Sequence, residues 1–357
     1  MTSNARLQQR LLKHSQHRQT GVALITMLMI FAIITIMTAD STERMGLDIR
    51  KTGFYLHNAQ ANEYALGAES LARQILFDDF EEDAKTSAND HLTELWNSVI
   101  IPVEYNGGEF EIVIRDLQSR YNLNNLLDED GKINPDELID FNALLSKLSL
   151  ASNAANNIAD WLDNDTTPIG YYSEDTSYLN KTPGYRAANQ SIVNSSELLS
   201  VAEIDFEAYR ILSPLVATLP SMTQININTA PISVLAMISG KLDPEKIVTA
   251  RELLPDGFTS TQEFLESEMA SGAGIDEQRI SVNSEYFEVW IKSQFQQQYA
   301  YLHSVFYRDS RDGRIVLLGR TFSRPLDSAL HNPFTQASSV DIKNDIKADS
   351  SDNQQSL

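Results

Sequence analysis

Arg18-Gln19-Thr20-Gly21 runs straight into Val22-Ala23-Leu24-Ile25-Thr26-Met27-Leu28-Met29-Ile30-Phe31, and the eighteen residues from Val22 to Ala39 carry no charged side chain. A helix rises about 1.5 Å per residue, so a run of this length just spans a bilayer. Upstream, Arg6, Arg10, Lys13 and Arg18 stand without an acidic residue. That bias holds the leader in the cytoplasm and puts the chain beyond Ala39 across the membrane. The run exceeds the apolar core of a secretory signal, and Met37-Thr38-Ala39 is a poor cleavage site. An uncleaved single anchor is the competing reading.

The 357 residues have room for two or three modest domains. A formal charge of −21 argues against nucleic acid or an anionic membrane as partner, since both select clustered Lys and Arg. Without cysteine there is no disulfide, thiolate metal site or cysteine nucleophile. Six histidines, two of them (His14 and His17) before the apolar run, leave oxygen ligands for any divalent cation, which favours calcium or magnesium.

From Asp40 to about Phe77 the pattern stays helical. Ala61, Tyr64, Ala65, Ala68, Leu71, Ala72, Ile75 and Leu76 form one predicted buried face, and no proline interrupts Val22–Phe77. Ile100–Tyr105 and Phe110–Ile114 flank Asn106-Gly107-Gly108 as a hairpin, with Pro102 suited to an edge strand. Tyr286–Phe295, Tyr299–Arg308 and Arg314–Thr321 read as three further strands. Helical stretches fill the interval: 136–150, 153–162, 195–201, 205–212, 230–238, 244–254 and 261–269. The predicted fold is therefore α+β: a long N-terminal helix packed on an antiparallel sheet, with a large, mostly α-helical domain inserted in the sheet. The expected divisions are a leader (1–21), a membrane half (22–39) and a far half (40–80) of the helix, the sheet (81–120 and 281–325), an acidic insertion (121–280) and a disordered tail (326–357).

The densest carboxylate cluster is Asp160-Trp161-Leu162-Asp163-Asn164-Asp165, followed by Ser173-Glu174-Asp175. Asp160 and Asp163 share a helix face, and the loop can bring Glu174 and Asp175 back to them. Hard cations take six to eight such oxygens. The expectation is a structural Ca2+ site on Asp160, Asp163, Asp165, Glu174 and Asp175; a solvated acidic loop using its carboxylates for turn bonds is the plain alternative. Asp128–Glu137 imitates an EF-hand loop, but Leu126 falls at its first ligand position, so a turn before a helix is the better reading. Ile225–Phe264 resembles a helix-hairpin-helix DNA module. Its turn, Ser239–Asp243, carries an acid where phosphate would approach, and the insertion lacks a basic footprint. No hydrolase motif, zinc-protease motif or Walker loop occurs, and the chain is read as a non-enzyme. A membrane-anchored DNA-uptake protein and an anchored periplasmic hydrolase are the competing functions.

A basic leader ending in glycine before an apolar helix resembles the type IV pilin and pseudopilin precursors. Thr26 in place of the usual glutamate, the string Arg115–Leu126, Ile227-Asn228-Thr229-Ala230-Pro231, Ala159–Asp163 and Pro183–Asn189 are similar to the GspK family of minor pseudopilins of type II secretion. The resemblance implies that a prepilin peptidase cleaves between Gly21 and Val22 and methylates Val22. It implies a tip subunit that starts a periplasmic pseudopilus from the inner membrane, with GspI and GspJ beneath it. GspH, the major pseudopilin and secreted cargo are further expected contacts. Glutamate at position 26 would neutralise a neighbour's N-terminal amine in lipid, and a subunit with nothing above it needs no such acid.

Overall fold

The computed structural model describes residues 4–325, except 87, 98, 99 and 170–173, together with 333 and 334. The chain divides into two units, residues 1–60 and 61–357. Helix α1 covers Asn4–Asp83. In the first unit the side chains of Val22–Ala39 are exposed throughout, on a stretch long and apolar enough to cross a membrane. Thr26 Oγ1 donates to Ala23 O at 2.9 Å, and Thr35 and Thr38 bond back to Phe31 O and Ile34 O. These hydroxyls are thus satisfied inside the helix, as a spanning segment requires.

In the second unit, α1 lays Ala61, Ala65, Ala68, Ala72 and Leu76 on the sheet, all fully buried. Small side chains at this spacing let helix and sheet approach closely. Leu71, expected on the same face, is instead 39% exposed, because the alanine stripe and Leu76 already fill the contact. Five antiparallel strands form the sheet in the order β1–β2–β7–β8–β9: Ile100–Tyr105, Gly108–Asp116, Tyr286–Phe295, Gln298–Arg308 and Ile315–Thr321. Pro102 does lie on an edge strand, where its missing N–H costs nothing. Ile112, Ile114, Phe287, Val289, Ile291, Leu302 and Phe306 face the helix and form the core with Trp96.

The insertion leaves β2 at Asp116 and returns at Tyr286; these neighbouring strands pair without a break from Gly108↔Phe295 to Asp116↔Phe287. Its first half carries β3 (Tyr121–Asn122), α2 (Pro135–Lys147), α3 (Ala154–Leu162), α4 (Asp175–Leu179), α5 (Phe206–Leu212) and β4 (Val216–Ala217), around a core that includes Phe141, Ile158, Leu162 and Tyr178. The second half carries β5 (Ile225–Asn226), α6 (Ile232–Ile238), α7 (Pro244–Leu253), α8 (Thr261–Glu266) and β6 (Ile280–Ser281), around Val234, Leu235, Ile247 and Phe264. The predicted helix at 195–201 is a 3-10 turn capped by Asn194 and Glu197.

Where α1 ends, Asp79, Asp90 and Glu94 bring carboxylate oxygens within 4.8 Å of one another. Arg308, 4% exposed, bonds Asp79 at 2.8 Å and also pairs with Asp90. One guanidinium does not neutralise three acids. Burial, then the charges of Asp79 and Asp90, push Glu94 up to about 9; burial and the same two charges push Asp83 up to about 7. Such groups favour the folded state while protonated, so stability declines as pH rises from about 4 through these values. Glu94→Gln keeps an acceptor for the Trp96 indole N–H. The expected outcome is a melting temperature raised by a few degrees at pH 8.5 and unchanged at pH 5; equal shifts at both pH values would refute the assignment.

Candidate metal centre

Helix α3 places the centre. Ala154, Ala155, Ile158 and Leu162 bury its apolar face, and the opposite edge of the same two turns carries Asp160 and Asp163. Asp163 is the C-cap, its N–H bonded to Ala159 O at 3.0 Å. Asp160 is fully buried and accepts from Ile169 N at 2.9 Å, which folds the following loop back over it. Glu174 precedes α4 with φ +106°, a conformation that costs a non-glycine residue about 1–3 kcal/mol. That backbone delivers its carboxylate to the other two: oxygens of Asp160, Asp163 and Glu174 lie within 4.8 Å of one another.

All three residues are buried, at 0%, 4% and 5% exposure. Among the described residues, Asp163 Oδ1 and both Glu174 oxygens have no hydrogen-bond partner, and neither acid has an ion-pair partner. Burial, then the charges of Asp165 and Asp160, push Asp163 up to about 6. Burial, then Asp160 and Asp163, push Glu174 up to about 7. Buried carboxyl oxygens without donors are costly unless a proton or a cation meets them. The oxygen-only donor set suits a hard divalent ion.

Two of the five expected ligands do not join this group. Asp165 Oδ1 accepts from Thr167 N at 2.6 Å, the turn bond that a solvated loop would make. Asp175 is drawn to Arg186 at 2.9 Å and accepts from Ala187 N. Asn189, which an acid-centred reading passes over, closes the loop from the other side by donating to Asp165 O, while its Oδ1 is buried without a partner. The Pro183–Asn189 string was the available signal for it.

The EF-hand-like loop supports the centre without belonging to it. Asp128 Oδ1 accepts from Asp130 N and Lys132 N, both at 2.9 Å, as in a turn. Gly131, at φ +74°, leaves room for Asn164, whose Nδ2 donates to Asp130 O; a Cβ there would lie 2.9 Å from that nitrogen. In the helix-hairpin-helix-like stretch, Asn226, Asn228 and Thr229 are buried and pin the chain. Asn228 bonds Phe258 N and O, Asn226 bonds Asp90 O and Ser284, and Thr229 donates to Asp116. Those polar groups are committed inward, not to phosphate.

Residues 119–221 match a family model described as type II secretion system (T2SS), protein K. The chain is 36% identical to the type II secretion system protein K of Pseudomonas aeruginosa, over 85% of its own length and 92% of that protein's. It is 30% identical to the protein K of Aeromonas hydrophila, covering 86% and 98% of the two chains. The fold is similar to a chain of the solved GspK-GspI-GspJ complex from enterotoxigenic Escherichia coli, with TM-score 0.65, 24% identity, and coverage of 77% and 99%.

In chelator, raised carboxyls at the centre make the fold less stable as pH climbs from about 4 through 6 and 7. Asp163→Asn removes one of the opposing charges. A melting temperature above wild type at pH 7.5 in chelator, and level with it at pH 4.5, is expected by thermal denaturation.

Proposed function

Because this chain belongs to the protein K family of the type II secretion system, we propose that it is the tip subunit of a pseudopilus, anchored in the inner membrane with its head in the periplasm. The observation that carries the reading is Thr26. Its hydroxyl closes on Ala23 O at 2.9 Å, so the apolar helix has no acid at that position to offer a neighbour's amine. A subunit that needs no partner above it fits the end of a fibre. The insertion supports the same place: a domain of about 160 residues has a radius of gyration near 15 Å, bulk that suits one terminal copy better than a repeating one.

GspI and GspJ are the proposed neighbours, by analogy with the relative whose complex has been solved. Processing by a prepilin peptidase after Gly21, with methylation of Val22, would free the N-terminus for assembly. The subunit acts by initiating the fibre and supporting export, with no reaction of its own. The test is to isolate the protein from secreting cells. Mature chains beginning at methylated Val22, recovered together with GspI and GspJ, are expected. An intact leader, or a chain that never co-purifies with either partner, would defeat the reading.

We further propose that Asp160, Asp163 and Glu174 hold calcium. The donor-free oxygens of Asp163 and Glu174 support a cation, and its charge would offset the burial and the mutual repulsion that raise these acids. The ion's contribution is structural: it would tie α3 to the start of α4. At a hundredfold excess over the dissociation constant, ligand binding stabilises by about 2.7 kcal/mol. Calcium should therefore raise the melting temperature over chelator in wild type and not in Asp163→Asn. Identical curves for wild type in calcium and chelator would rule the site out.

A further inference from the structure

Helix α1 covers one face of the sheet; the opposite face presents Glu111, Trp290, Lys292, Tyr301 and His303 from β2, β7 and β8. Lys292 pairs with Glu111 at 2.7 Å, and Trp290 stacks on His303 at 4.1 Å. Tyr301 lies beside Lys292 in register, toward the hairpin end of these strands. Against this spot sits Phe334, which is half-buried, just after Pro333, which is buried. The Phe334 ring lies 6.4 Å from that of Tyr301, and Lys292 Nζ is 5.9 Å from the Phe334 centroid. Arg324 covers Tyr301 as well, its guanidinium 5.9 Å from the ring. Tyr301 is therefore touched by residues on both sides of the stretch 326–332.

We propose that the outer face of the sheet at Lys292 and Tyr301 is a docking site for this chain's own C-terminal segment, seated through Phe334. The chemistry is specific. Lys292, already neutralised by Glu111, offers its cation to the aromatic face, and Tyr301 offers a ring for tilted contact. Pro333 fixes φ immediately before Phe334, so the turn there loses little freedom on seating. A tethered ligand reaches millimolar effective concentration, so two modest aromatic contacts suffice in cis where a free peptide would bind weakly. While Phe334 is seated, this patch of the sheet is closed to other partners. Beyond Phe334 the chain has 23 more residues, Thr335–Leu357, whose point of departure is thereby fixed on the head.

The cysteine-free chain allows a direct test. In the full-length protein, with Lys292, Tyr301 and Phe334 all retained, Gln294→Cys on the same face of the sheet with Thr335→Cys is treated with a short bis-maleimide and compared with Gln294→Cys paired with Ser350→Cys. The docked segment predicts an intramolecular adduct that forms about tenfold faster, or more, for position 335 than for position 350. Tyr299→Cys with Thr335→Cys, against Tyr299→Cys with Ser350→Cys, repeats the measurement from the neighbouring strand. Equal rates at 335 and 350 in both backgrounds would overturn the proposal. So would adducts that are mainly intermolecular, since these would mean that the segment seats on a second copy.

Discussion

Arg308 is a buried cation at the point where three separate parts of the head must meet. Its guanidinium reaches Asp79 near the end of α1, Asp90 in the segment leading to the sheet, and Ser284 O where the insertion returns. Asp90 in turn accepts from Ser284 N at 2.6 Å, Ser284 Oγ donates to Asp116 at 2.7 Å, and Asp116 takes Thr229 and the Gln118 amide. Removing one partner from such a buried pair typically costs about 3–5 kcal/mol, because the other charge is left in low dielectric. The network also explains why so long an insertion leaves the sheet intact. Its two ends enter and leave adjacent paired strands, and closure entropy grows only logarithmically with loop length. What must be specified is the root, and the root is polar, directional and buried.

The molecule buries carboxylates in two different ways. Glu288 is met by cations: burial alone would raise it, but Arg120, His303 and Arg115 hold it far below the usual carboxylate range. Asp163 and Glu174 have no such neighbour among the described residues, and burial and then the adjacent acids raise both. The first arrangement is complete as it stands and serves packing. The second is incomplete without a proton or an ion, and that deficit is what supports the proposal of a cation there.

Much of this was legible from residue pattern. The apolar run, the hairpin of β1 and β2, and the strands β7, β8 and β9 are local signals, and the structure follows them to within a few residues. The pairing of Asp160 with Asp163 was legible for the same reason, since three residues along a helix fixes a shared face. The failures have a common cause. Whether Asp175 turns to the cluster or to Arg186 is decided eleven residues away, and whether Asp165 ligates or closes a turn depends on Thr167 N. Asn189 carries no charge to draw notice, and the raised Glu94 follows from burial and then from Asp79 and Asp90, all of which arise only in the fold. The strings Arg115–Leu126 and Ile227–Pro231 could be matched to a family, yet their physical role as buried pins of the insertion appears only once Asn122, Asn124 and Asn228 are seen bonded across 30 to 99 residues.

The same reasoning separates the two ends of the chain. In the head, polar side chains are buried because distant segments satisfy them, so position is bought with long-range bonds. In the apolar half of α1 no distant partner is needed: Thr26, Thr35 and Thr38 each close on a carbonyl three or four residues back. A glutamate at position 26 could not do so without holding a proton or finding a cation, since an isolated carboxylate in hydrocarbon is untenable. Threonine makes the helix self-sufficient in lipid, while the usual acid makes a helix depend on its neighbour. Self-sufficiency at that position, together with a head enlarged by two further cores, is what supports the proposal that this subunit begins a fibre and does not continue one.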